Sequence, residues 1–159
     1  MNVMTAEHVR KSHNVSLLMY QLVCPVKYRR KVFSEEVELS LVEICKGIQE
    51  RYEISFIEIG ADSDHVHFFI HSVPTYSPTK LANTVKGIVG REIFKNHPHI
   101  KKDILWGGHF WTSGYYINTV GKFANEEMMK NYVKNQGTSD KKNYKKLYYH
   151  NPNQPSLFI

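Results

Sequence analysis

Between Val15 and Gln136 the apolar residues change their period in a set order, and that order leaves few folds open. Val15 to Cys24 is β-branched, aromatic and aliphatic and stops at Pro25, which predicts a largely buried strand. Ser34 can cap a helix with Glu35 and Glu36 in its first turn, and Leu41, Ile44, Cys45, Ile48 and Tyr52 then recur at helical spacing. Ile54 to Ile59 reads as a second strand ending at Gly60. After the turn-forming Ala61 to Asp64, a third runs from His65 to about Ser72, so the two predict a hairpin. Ser77 and Pro78 open a second helix, with Leu81, Val85, Ile88 and Val89 on one stripe, that ends near Asn96 and Pro98. A loop with Trp106, Gly107 and Gly108 leads to a β-rich stretch from His109 to Thr119. Gly121 separates this from a last helix, Lys122 to Gln136, with Gly137 as its C′ residue. The order βαββαβ plus a helix implies an α+β chain with a ferredoxin-like (RRM-like) antiparallel sheet and two helices on one face.

With 159 residues, 42% of them hydrophobic, the chain has apolar material for one packed core and too little for two. The expected division is a domain over residues 1–137 and a basic, flexible tail over 138–159, where the composition shifts to Lys, Tyr, Asn and Pro. Cys24 and Cys45 form no metal-like pair and read as small buried hydrophobes, which suits a reducing compartment. No run approaches a membrane span, and Met1 to His13 lacks the apolar core of a secretory signal, so the expected location is the cytoplasm. The net charge of +6 favours a polyanionic partner, but Lys141, Lys142, Lys145 and Lys146 against Asp140 place +3 of it in the tail. Lys27, Arg29, Arg30 and Lys31 surround Tyr28. Such a stripe can follow a phosphate backbone while the ring stacks on a base, and it can equally be a solvated loop.

Alternate side chains on a strand share a face, so His65, His67 and His71 point one way and Val66, Phe68 and Ile70 point into the core. Two adjacent imidazoles on one face can hold a metal, or can be two polar strand residues. His71, further along, reads as structural or surface. Tyr132 and Gln136 lie four residues apart on the last helix and can reach one site together, although a lone tyrosine is more often a packing residue.

Four segments taken in order carry a resemblance: His65-Val66-His67; Leu105-Trp106-Gly107-Gly108-His109-Phe110-Trp111; Thr119-Val120-Gly121; and Tyr132-Val133-Lys134-Asn135-Gln136. Together with Lys27 to Lys31 they resemble the HUH-type single-tyrosine transposases of the insertion-sequence 200/605 group, over about Asn14 to Gly137. The resemblance implies that His65, His67 and Gln136 bind a divalent metal, Mg2+ or Mn2+. It also implies that Tyr132, on a C-terminal catalytic helix, is the nucleophile that forms a 5′-phosphotyrosine. Further implications are single-stranded DNA hairpins at transposon ends as substrate, a homodimer that exchanges the catalytic helix about Gly121, and a nucleoid-associated location. Two places depart from the group's pattern: Val26, which lengthens the usual Cys-Pro-Lys-Tyr-Arg-Arg segment by one residue, and Thr112-Ser113-Gly114.

Rival readings are a histidine-triad nucleotide hydrolase, which lacks its third histidine here because Phe69 stands in its place, a non-catalytic RRM-like nucleic-acid-binding module, and a domesticated relative of the transposases. At the chain's end, Gln154-Pro155-Ser156-Leu157-Phe158 resembles the short peptide with which bacterial replication proteins bind the sliding clamp. Packing of these residues on the domain or its dimer mate is the competing explanation.

Overall fold

The computed structural model describes residues 8–121 and 145–149. The elements are β1 (Val9–Arg10), β2 (Val15–Ser16), β3 (Leu18–Pro25), α1 (Glu35–Arg51), β4 (Ser55–Asp62), β5 (His65–Ser72), α2 (Pro78–Asn96), β6 (Tyr116–Thr119) and β7 (Lys145–Tyr149). From β3 to β6 the order is βαββαβ, and the sheet runs β6-β3-β5-β4-β7 with every neighbouring pair antiparallel. This is the ferredoxin-like arrangement that the sequence predicts.

Local chemistry sets the helix ends. Ser34 Oγ accepts the Val37 amide at the start of α1, and Ser77 Oγ accepts that of Lys80 at the start of α2, where Pro78 occupies the first turn. The apolar stripes of both helices and the alternate residues Tyr20, Leu22 and Cys24 of β3 and Val66, Phe68 and Ile70 of β5 form one core. Burying each large aliphatic side chain is worth about 1.5–3 kcal/mol, so this layer carries much of the folding free energy. Both cysteines are free and buried, and burial raises both thiols, that of Cys24 to about 12; they are inert packing groups, as expected.

Three expectations change. The single strand predicted over Val15 to Cys24 is interrupted after Ser16, because Val15–Ser16 pairs with Val9–Arg10 in a separate two-stranded sheet. In the stretch from His109 to Thr119 only Tyr116–Thr119 is a strand, since Phe110 and Trp111 are spent on the core. Lys145–Tyr149, placed by its composition in a flexible tail, is an edge strand on β4: Leu147 and Tyr148 pack on the core and Lys145 lies 3.6 Å from Glu38. The helix expected over Lys122 to Gln136, with Tyr132 and Gln136, and the peptide Gln154 to Phe158 lie outside the described residues.

The second face of the sheet carries its own apolar cluster, Met19, Ile57, Phe69 and Val120, which no residue of α1 or α2 joins. His65, His67 and His71 share this face with Phe69. His71 Nε2 is buried without a hydrogen-bond partner, and burial, helped by the nearby His8, holds the imidazole below its usual 6.5. A base whose native pKa is lowered resists a proton that the unfolded chain accepts. Its contribution therefore holds above 6.5 and is lost as pH falls from there through the lowered native value. Thermal midpoints measured on both sides of 6.5 are expected to show a smaller acid-side loss in His71→Gln than in the parent; an equal loss would contradict this assignment.

Candidate active site

The site grows from one end of the sheet, where Pro25 of β3, His65 of β5 and Asp62 of β4 lie in register across three strands. The His65 and His67 rings sit side by side with centroids 5.1 Å apart, as strand alternation requires. Val23 and Gly60 flank His67 in the ladder, and Gly60 adds no side chain to that face.

Asp64 orients the first of these histidines. Its Oδ1 lies 2.7 Å from His65 Nδ1, while Arg29 Nε donates to Oδ2 at 3.1 Å. The hydrogen bond from His65, followed by the charge and hydrogen bond of Arg29, holds the Asp64 carboxyl below its usual range against the opposing effect of burial. An ionised carboxylate only accepts, so His65 Nδ1 donates and the lone pair of neutral imidazole is left on Nε2. Asp62, Asp64 and His65 also bring one donor atom each within 4.8 Å of one another. Sequence reasoning missed both aspartates, which read as turn residues; the signal available was a carboxylate immediately before the first histidine.

The basic segment is bound to this turn by its main chain. The Val26 amide donates to Asp64 O at 2.8 Å, and the Val32 and Phe33 amides donate to Ser63 O. Between these anchors Lys27–Arg29 forms a tight turn in which Tyr28 and Arg29 take left-handed backbone angles, and Tyr28 projects into solvent, 61% exposed. The segment from Leu105 to Trp111 lies alongside: Phe110 O accepts the Lys27 amide, and Val26 pairs with Trp111. Trp111 Nε1 donates to Lys86 O, and Gly90 allows this approach, since a Cβ there would stand 3.1 Å from that of Phe110. The two departures from the family pattern are neighbours in space. Val26 is wholly buried against Trp111, Thr112 N donates to Pro25 O, and Lys86 Nζ gathers the carbonyls of Thr112, Ser113 and Gly114.

The structure therefore brings together His65, His67 and the Lys27 to Lys31 segment from positions far apart in the chain. Tyr132 and Gln136 are outside the described residues.

An α+β domain with paired histidines and a cationic loop at one sheet end is suited to work on a nucleic-acid phosphate. Comparison with known proteins makes the class specific. The family model described as "Transposase IS200 like" matches residues 14–136, and the chain belongs to that family. It is 31% identical over 119 residues to the ISDra2 transposase TnpA of Deinococcus radiodurans, covering 75% of this chain and 84% of that one. To the transposase for insertion sequence element IS200 of Salmonella typhimurium it is 28% identical over 122 residues, covering 77% and 78%. A crystal structure of a Deinococcus radiodurans chain assigned as a transposase superposes with a TM-score of 0.65 at 26% identity, over 80% of this chain and 97% of that one. Membership implies DNA cleavage and strand transfer. None of the described helices is long and apolar enough to cross a membrane.

The Asp64 contact makes a prediction that does not depend on catalysis. In the parent, ring nitrogen NMR shifts of His65 at neutral pH should report the Nδ1-protonated tautomer, and Asp64→Ala should convert this to a mixture of tautomers. The same single tautomer in both proteins would mean that Asp64 does not orient the ring.

Proposed function

We propose that the protein binds hairpins in single-stranded transposon ends and cuts and rejoins the DNA through a 5′-phosphotyrosine on Tyr132. The observation that carries this reading is the pairing of His65 and His67 at the sheet end, with His65 oriented by Asp64, inside a family match that extends through Tyr132 to Gln136.

His65, His67 and Gln136 would hold a divalent ion, Mg2+ or Mn2+, and Asp62 adds a carboxylate beside His65. Two neutral imidazoles and a neutral amide oxygen leave most of the ion's charge uncancelled, and a bound ion would supply that charge to a phosphodiester whose own charge repels attack. The residues fit such a group. Asp64 has its two oxygens engaged by His65 and Arg29, so its part is to fix the ring and leave Nε2 available.

Tyr132 attacks the scissile phosphorus through its phenolic oxygen, giving up the phenolic proton. The bond to the 3′ oxygen breaks, and that oxygen takes up a proton to become a free hydroxyl. One phosphodiester replaces another, so a 3′ hydroxyl of a second end reverses the step without ATP. A phenol with an ordinary pKa of about 10 is a weak nucleophile at neutral pH, which is why the charge around the phosphate matters. The reading includes a homodimer in which the helix bearing Tyr132 completes a site whose histidines belong to the partner, with Gly121 as hinge. Binding of Gln154 to Phe158 to a sliding clamp is a separate proposal for the chain's end.

Mixing the protein with single-stranded DNA of its transposon end and Mg2+ should give a covalent adduct on denaturing electrophoresis. Tyr132→Phe should abolish adduct and cleavage while hairpin binding persists; the combined His65→Ala and His67→Ala variant should lose metal-dependent cleavage, and Gln136→Ala should lose less, since water can replace one ligand. A Tyr132→Phe protein that still forms the adduct would refute the nucleophile. Alanine at Arg29, Arg30 and Lys31 together should reduce the slope of log affinity against log salt by about 2, at roughly 0.7 per lost phosphate contact. An unchanged slope would make the segment a solvated loop.

A further inference from the structure

Next to the Arg29–Asp64 pair lies an open cleft lined by Tyr28, Arg29, Arg30, Lys31, Ile104 and Trp106. We propose that this cleft is a clamp for one unpaired nucleobase, with Tyr28 and Trp106 as its two stacking faces and Arg29, Arg30 and Lys31 on the adjoining phosphate. The proposal rests on the reading of single-stranded DNA as substrate and adds to it a recognition site next to the chemistry.

The first support is exposure. Tyr28 is 61% and Trp106 65% exposed, and the two large rings lie together on the surface, as aromatic patches at interaction sites do. The second is backbone strain. Tyr28, Arg29 and Trp106 have φ of 60°, 53° and 52°, and they are the positive-φ residues other than glycine among the described residues. Each such residue costs on the order of 1–3 kcal/mol and persists only where its surroundings hold it, a pattern found at ligand clamps. Here the surroundings do hold it. A turn of π-helix, Ile100–Ile104, precedes Trp106, the Gly107 amide donates to Lys101 O at 2.6 Å, and the Tyr28 turn is pinned at both ends to Ser63 and Asp64.

The third support is the chemistry of the walls. The two rings have centroids 6.5 Å apart, near twice the roughly 3.4 Å rise of stacked bases, and their planes are tilted by 46°. The Arg30 guanidinium lies 4.7 Å from the Trp106 ring centre and the Lys27 ammonium 4.9 Å from that of Tyr28, so each ring already carries a cation for a neighbouring phosphate. Gly108, beside Lys27, has a φ of +72°, a backbone conformation that residues with a side chain rarely adopt. A flat π-system joined to a phosphate matches these walls. A free phosphate would have no use for the rings, and an apolar ligand none for the cations.

Position completes the case. Arg29 lines the cleft and also holds Asp64, which holds His65, so a base in the clamp is one side-chain relay away from the proposed cleavage centre. Stacking reads the face of a base and not its edge, so the clamp tolerates any base and rejects a sugar that has none.

The test is binding of a short oligothymidylate, and of the same strand with one abasic sugar, to the full chain and its variants, followed by tryptophan fluorescence. Trp111 is buried and bonded to Lys86, so quenching by DNA reports Trp106. The parent is expected to show quenching; Trp106→Ala and Tyr28→Ala should each weaken Kd about 5- to 150-fold, the range for losing one stacked base, with an unchanged salt slope and an unchanged thermal midpoint. Trp106→Phe should retain most of the affinity, and an abasic sugar at the clamped position should weaken the parent and leave Trp106→Ala unaffected. Equal Kd for parent and both alanine variants, or fluorescence unmoved at saturation, overturns the clamp alone. Failure of the parent to bind the single strand overturns the clamp together with the substrate reading.

Discussion

Main-chain hydrogen bonds between the segment Val26 to Phe33 and the turn Asp62 to His65 are the constraint on which the rest of the site depends. Val26 N to Asp64 O and the amides of Val32 and Phe33 to Ser63 O close the basic loop over the hairpin that presents the histidines. The Arg29 to Asp64 ion pair adds a side-chain link at the same place. A surface ion pair alone is worth little, about 0–1 kcal/mol, but with backbone bonds fixing its partners it pays less entropy to form. A cationic loop and a strand that presents imidazoles are thus held in one geometry, which is what the proposed reaction would need.

That geometry also explains why the polar groups gather at the sheet end and not in its middle. In the middle, Phe69 packs with Met19, Ile57 and Val120 on the face that carries the histidines, so the face is apolar there. Towards the end, His67 and His65 take over from Phe69 along the same row, and Asp62 and Asp64 follow in the turn. Burial falls in step, from a wholly enclosed Phe69 to half-buried imidazoles, so the polar groups sit where a substrate can reach them.

The legible parts were those decided locally. Both helices were placed by their Ser34 and Ser77 caps and apolar stripes, and the hairpin by the turn after Gly60. The paired histidines were visible because a strand has a period of two. What escaped depended on distant partners. Asp64 takes its role from Arg29, 35 positions earlier, and in sequence it looks like any turn aspartate. Lys145–Tyr149 is a strand because β4 offers it an edge, a fact that a composition rich in Lys and Asn conceals. Phe110 and Trp111 look like strand residues and instead fill the groove beside Gly90, which only the packing of α2 reveals. Trp106 is exposed and left-handed, and a sequence displays neither.

In the proposed reaction one tyrosine among the ten in the chain, Tyr132, carries the DNA. Its most direct test is peptide mapping by mass spectrometry of the protein after reaction with a single-stranded transposon end and nuclease trimming. A nucleotide remnant, joined through its 5′ phosphate, is expected on the peptide containing Tyr132 and on no other. A remnant on Tyr28, on any other tyrosine, or joined through a 3′ phosphate would contradict it.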